Sequence, residues 1–140
     1  RRDKAPAYDA TLAQLAPLEI LLAEDNQLNR IVAVAMLESL GYHADIVENG
    51  VEALEALRER RYGVVLMDGQ RPELDGITAT RRIRGEIDRG EQPQIIAVTA
   101  NASAQDRAAC LAAGMDDFVA KPIDTSELAE ALNAAFDRRR

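Results

Sequence analysis

Apolar residues gather in five short runs along this chain. Each run is followed by a stretch where they recur every three or four positions. The runs cover Glu19–Ala23, His43–Val47, Gly63–Met67, Gln94–Thr99 and Asp117–Ala120. Three read as continuous apolar segments, the pattern of parallel strands buried on both faces. The second is shorter and more polar, which predicts an edge strand. The helical stretches cover Gln27–Leu40, Gly50–Glu59, Gly76–Arg84, Ala104–Ala112 and Thr125–Phe136. On the second helix Val51, Leu54 and Leu57 recur at i, i+3, i+6. On the last, Leu128, Ala131, Leu132 and Ala135 recur at i, i+3, i+4, i+7.

The punctuation between the runs agrees with this reading. Gly41 and Gly114 stand where helix C-termini need positive φ, and Asn49-Gly50 marks a turn. Asp124 precedes the last helix with Glu127 three residues on, as in a capping box. Five strand–helix alternations predict an α/β fold, a (βα)5 doubly wound five-stranded parallel sheet with right-handed crossovers. In such sheets ligands bind outside the carboxyl ends of the strands, at the switch point in strand order.

Composition narrows the class. The chain has 140 residues, 47% of them hydrophobic but only 4% aromatic, so one domain with an aliphatic core is expected. Residues 1–17 carry Pro6 and Pro17, are rich in alanine and read as a linker or tail. Residues 18–137 form the domain, and 138–140 a basic tail. The single cysteine, Cys110, excludes an internal disulfide and fits a reducing compartment. A net charge of −7 argues against a nucleic-acid-binding surface. No segment approaches the ~20 apolar residues a membrane-spanning helix needs. His43, the only histidine, reads as a surface residue at the start of the edge strand.

The chemistry lies where the runs end. Glu24 and Asp25 close the first run, Asp68 the third and Thr99 the fourth, while Lys121 follows the fifth and precedes Pro122. Any one of these acids alone reads equally well as a helix cap or a solvated loop carboxylate, and Thr99 alone as an ordinary strand end. Together, at one edge of one sheet, they make a different object. Carboxylates brought this close repel one another, and oxygen-only ligands select a hard divalent cation such as Mg²⁺. The backbone carbonyl of Gln70 is a candidate further ligand. Lys121 is a compact charge suited to a phosphoryl oxygen, Thr99 a hydroxyl donor to it, and Asp68 a carboxylate nucleophile able to form an aspartyl phosphate. A cis Lys121–Pro122 bond would aim the lysine inward.

Longer segments carry a family resemblance. They are Ile20-Leu21-Leu22-Ala23-Glu24-Asp25-Asn26, Val47-Glu48-Asn49-Gly50-Val51-Glu52-Ala53-Leu54, Val65-Leu66-Met67-Asp68, Pro72-Glu73-Leu74-Asp75-Gly76, Ile96-Ala97-Val98-Thr99-Ala100-Asn101-Ala102, and Ala113-Gly114-Met115-Asp116-Asp117-Phe118 through Lys121-Pro122. From Glu19 to Phe136 the chain resembles a receiver domain of two-component signalling, most like those of hybrid sensor histidine kinases.

The resemblance implies a flavodoxin- or chemotaxis-regulator-like sheet of order 2-1-3-4-5 and a cytoplasmic, non-enzymatic protein. Asp68 would take its phosphoryl group from a phosphohistidine of a histidine kinase or histidine phosphotransfer domain. Glu24, Asp25, Asp68 and the Gln70 carbonyl would hold Mg²⁺. Thr99 and Phe118 would act as switch residues, and Gln70 and Asn101 would tune phosphate loss. Contacts would change on the face formed by the fourth helix, fifth strand and fifth helix.

Gly69 and Arg71 depart from the family pattern and support an alternative, a docking module independent of phosphate. An aspartate-nucleophile phosphatase fits less well. Its second aspartate would fall at Gln70, which cannot do acid–base work.

Overall fold

The computed structural model describes residues 17–68, 77–100 and 103–139, with Asp68 as backbone only. The strands are β1 (Ile20–Ala23), β2 (Ala44–Val47), β3 (Val64–Asp68), β4 (Gln94–Thr99) and β5 (Asp117–Ala120). The helices are α1 (Gln27–Ser39), α2 (Gly50–Glu59), α3 (Ile77–Glu86), α4 (Ala104–Ala113) and α5 (Thr125–Arg139). All strand pairs are parallel, in the order β2-β1-β3-β4-β5. The switch point therefore lies between β1 and β3, where the chain first turns outward to β2 and then returns to build the other half.

The aliphatic composition explains the layers. One face of the sheet presents Ile20, Leu22, Val64, Leu66, Ile96 and Val98 to α1 and α5. The other presents Leu21, Ala23, Val65, Met67, Ile95 and Ala97 to α2, α3 and α4. Alternate residues of β1, β3 and β4 thus point to opposite cores, which is why their sequence lacks polar alternation. Truncating the fully buried Leu22 to Ala would cost about 2–5 kcal/mol in lost transfer energy and cavity. β2 is half-exposed and lies at the edge.

The local signals act as expected at several points. Gly41 and Gly114 both have positive φ, 91° and 113°. A Cβ on Gly114 would also meet Arg84 Cγ at 2.9 Å. Asn26, Asn49 and Ser103 cap α1, α2 and α4 through their side chains. The capping arrangement differs from expectation at α5, where Asp124 accepts from the amide and hydroxyl of Ser126. The reciprocal pattern occurs instead at α2: Asn49 Oδ1 accepts from Glu52 N–H, and Glu52 reaches back to the amide of Glu48. On α2 the buried face is Ala53, Leu54 and Leu57, while Val51, expected on it, is exposed.

Boundaries shift where tertiary contacts intervene. β1 starts at Ile20, one residue late, and β2 at Ala44, leaving His43 exposed outside it. β3 includes Asp68, in register with Val98. α1 stops at Ser39, because the amide of Leu40 turns back to Leu37 ahead of Gly41. α4 runs one residue longer than expected, to Ala113. α3 continues past Arg84 to Glu86, which pairs with Arg82 and Arg58. α5 continues past Phe136 to Arg139, so Arg138 and Arg139, expected in a basic tail, are helical. Arg138 bonds Gln94 and Arg139 the carbonyl of Gln92. A short 3-10 turn at Arg89–Glu91 was not anticipated. Cys110 is free and buried.

Candidate functional site

The register lines up the polar strand ends. Ala23 pairs with Met67, Asp68 with Val98, and Thr99 with Ala120. Glu24 and Asp68 thus stand level at the carboxyl end of adjacent strands, at the switch point. Thr99 is one position further along β4, and Lys121 just past the end of β5.

Local bonds fix each position. The Glu24 amide donates to the Val47 carbonyl at 3.0 Å, carrying the β1–β2 ladder one residue beyond the strand. The Glu24 side chain is 0% exposed, and its Oε2 accepts from the Asn26 amide at 2.7 Å. Asn26 in turn caps α1 by accepting from Asn29 N–H at 3.0 Å. The turn Glu24-Asp25-Asn26 is therefore tied at both ends and leaves Asp25 exposed at the edge. On the far side, the Lys121 amide donates to the Thr99 carbonyl at 2.9 Å, and the Lys121–Pro122 bond, left open by the sequence, is cis. Thr99 is nearly buried.

One distance draws the edge together. Lys121 Nζ lies 3.8 Å from Glu24 Oε1. β1 and β5 are separated by β3 and β4, three strand spacings or roughly 14 Å. The lysine and glutamate therefore meet across the carboxyl ends of β3 and β4, over the position of Asp68. At 3.8 Å the pair attracts as ions without the directionality of a hydrogen bond.

The donor set suits a hard cation. Glu24 and Asp25 supply carboxylate oxygens, and Asp68 stands level with Glu24. Among the described residues no three His, Cys, Asp or Glu side chains gather as a metal site, and the side chain of Asp68 is not among them. Gln70 and Asn101, with Gly69 and Arg71, lie outside the described residues.

Phe118 is half-buried in β5, opposite Ala97 and on the face covered by α4, the face Thr99 shares. Its ring lies under the guanidinium of Arg107, 5.7 Å from centroid to Cζ. Sequence reasoning missed Arg107, which only the fold brings to β5. It also passed over Asn26, although an Asn just ahead of a helix is a readable cap signal.

Known proteins match this arrangement. The family model of the response regulator receiver domain matches residues 20–133. The chain is 38% identical to "Probable histidine kinase 1" of Oryza sativa subsp. indica, over 81% of this chain and 15% of that protein. It spans only 5–17% of the length of the curated relatives it matches. Among solved structures, the receiver domain of sensor histidine kinase PA1611 from Pseudomonas aeruginosa PAO1 is 46% identical, with a TM-score of 0.76. The match covers 86% of this chain and 98% of that one, and that structure holds a magnesium ion in its active-site cleft. The receiver domain of Ssk1 from Saccharomyces cerevisiae, solved with the histidine phosphotransfer protein Ypd1, is 24% identical with a TM-score of 0.75. That match covers 87% of this chain and 90% of that one and speaks to the fold. The strand order, the acidic edge and a family match over nearly the whole described fold lead to one conclusion: the chain belongs to the response regulator receiver domain family.

Proposed function

We propose that Asp68 accepts a phosphoryl group from a phosphohistidine and that the domain changes its protein contacts as a result. The observation that carries this reading is the meeting of Lys121 and buried Glu24 across the strand ends beside Asp68. In the transfer, a carboxylate oxygen of Asp68 forms the new O–P bond while the N–P bond of the donor breaks. The electron pair leaves with the imidazole nitrogen. Lys121 turns toward a phosphoryl oxygen, and the Thr99 hydroxyl donates to another. Glu24, Asp25, Asp68 and the Gln70 carbonyl are the residues proposed to hold Mg²⁺, which when bound supplies neutralisation of the charge on the transferring group.

The switch follows from position. Thr99 and Phe118 share the face under α4, so drawing Thr99 toward a phosphoryl group frees space beside the aromatic ring. A state that binds the phosphoryl group better is then populated. Hydrolysis is slow loss of the domain's own phosphate, with Gln70 and Asn101 setting its rate. It is not turnover of a foreign substrate. The working unit is residues 18–137, acting in the cytoplasm with a histidine kinase or histidine phosphotransfer domain as donor. Among the described residues no helix is long and apolar enough to cross a membrane.

The test is incubation with acetyl phosphate, with and without Mg²⁺, followed by intact mass. One added phosphoryl group that requires Mg²⁺ and is absent in Asp68→Asn is expected. No added mass on a folded protein would leave the phosphate-independent docking module as the reading.

A further inference from the structure

α4 is held unevenly. Its buried side chains, Cys110 and Ala113, lie in its last turn, and Arg84 donates to the carbonyl of its cap, Gly114, at 2.9 Å. From Ala104 to Ala109 no side chain is buried. α2, by contrast, buries Gly50, Ala53, Leu54 and Leu57 along its whole length.

The first half of α4 reaches β5 through Arg107. Its guanidinium carbon stands 5.7 Å from the centroid of the Phe118 ring, inside the ~6 Å at which a cation is attracted to a ring face. Among the described residues no carboxylate pairs with Arg107. Arg107 is exposed and Phe118 half-buried.

The sheet offers the ring a second place. Phe118 is in register with Ala97, and Thr99 with Ala120. Residues two apart on a strand share a face, so these four side chains stand together. The ring's neighbours there, Ala97, Thr99 and Ala120, are all small. When Thr99 is drawn to a phosphoryl group, the ring can enter the space it leaves, and in doing so it leaves the cation. Arg107 and the vacated space therefore compete for the same ring.

Resting on the phospho-acceptor reading above, we propose that Arg107 is a positioning residue of the switch. Its guanidinium holds Phe118 in the unphosphorylated arrangement and ties the amino half of α4 to β5. Phosphoryl uptake moves the ring, breaks the contact and frees that half of the helix. Cys110, Ala113 and the Arg84 bond hold the other half as the pivot. Arg107 acts through Phe118 and not on the phosphoryl group.

The experiment measures the rate of acetyl phosphate labelling with Mg²⁺, by intact mass on the full chain. Arg107→Met, Arg107→Lys, Phe118→Leu and Phe118→Leu combined with Arg107→Met are set beside the parent, with circular dichroism to verify folding. An exposed cation–π contact is worth about 0.5–1 kcal/mol, a factor of about two to five in a population. Arg107→Met should therefore label about two- to fivefold faster, because the arrangement that favours phosphate is more populated. The sign is diagnostic: acetyl phosphate is an anion, and loss of a positive charge by itself slows its arrival. Arg107→Lys keeps a cation near the ring and should label more slowly than Arg107→Met. In the Phe118→Leu background, Arg107→Met should have no further effect. Labelling of Arg107→Met at or below the parent rate would overturn the proposal. So would Arg107→Lys as fast as Arg107→Met, or the same acceleration in the absence of the ring. A parent chain that acetyl phosphate does not label would instead overturn the phospho-acceptor reading, and with it the switch that Arg107 serves.

Discussion

The two ends of this sheet carry similar residue types arranged to opposite effect. At the amino-terminal end, charged and polar side chains close on one another. Arg84 donates to the carbonyls of Gly114 and Pro93, to Gln92 and to Asp116, all within 2.7–2.9 Å. The same Asp116 oxygen takes the Ile95 amide at 2.8 Å, and the Gln92 amide returns to the carbonyls of Ile83 and Ile87. Arg60 pairs with Glu19 and Asp45 and lies over the Tyr62 ring, whose hydroxyl donates to Asp45. At the carboxyl-terminal end a buried glutamate, which also takes the Asn26 amide, meets a lysine at ion-pair distance, with Asp25 exposed beside them. The first end fastens elements together. The second sets Glu24, Asp25 and Lys121 at the carboxyl ends of the strands, the edge where open α/β sheets bind ligands.

Breaking the carboxyl end should destroy function and leave the fold. Asp68→Asn should abolish phosphoryl uptake from any donor, read by intact mass, with unchanged circular dichroism. Lys121→Ala should slow uptake on the order of 10²-fold, the usual cost of removing one preorganised charge from a transferring group. Uptake at the parent rate would contradict the role given to Lys121.

Breaking the amino end should do the reverse. Arg84→Ala leaves Asp116, Gln92 and two carbonyls without their donor. It should cost about 2–3 kcal/mol, a fall in Tm of roughly 8–12 °C for a domain of this size. Acetyl phosphate labelling per folded molecule should not change. A fall in labelling without a fall in Tm would erase the distinction between the two ends.

A finer probe uses pH. Burial pushes Tyr62 up to about 12, helped by its hydrogen bond to Asp45, and burial alone pushes Tyr42 to about 12. The fold favours the protonated phenols, so their stabilisation is complete below pH ~10. It is lost as pH rises through about 12. Ultraviolet titration should show two of the three tyrosines ionising late until the protein unfolds. Tyr62→Phe should remove one of these and cost about 1 kcal/mol at neutral pH. The smallest effect is expected at Asn49→Ala, a lost α2 cap worth about 1 kcal/mol or less, visible in Tm and silent in labelling.

The contrast also explains what the sequence made legible. β4, β5 and α2 were read at their observed bounds because apolar runs and turn residues both mark them. The carboxyl-edge residues were legible because parallel strands bring their ends together whatever the loops do. The amino-edge network was not, since Arg84 and Asp116 are 32 residues apart and neither sits in a motif. For the same reason α5 was cut short: its last turn is held by Gln92, Gln94 and Asp117, which belong to distant elements. Val51 shows the opposite error, an apolar residue with helical spacing that faces solvent because Ala53 fills the core side.

The most direct measurement is chemical mapping of the labelled residue. After acetyl phosphate and Mg²⁺, borohydride reduces an aspartyl phosphate to homoserine, and peptide mass spectrometry then locates the change. Homoserine at position 68, and at neither Asp25 nor Glu24, is the predicted result. Reduction at another carboxylate, or none on a protein that has gained a phosphoryl group, would contradict the account.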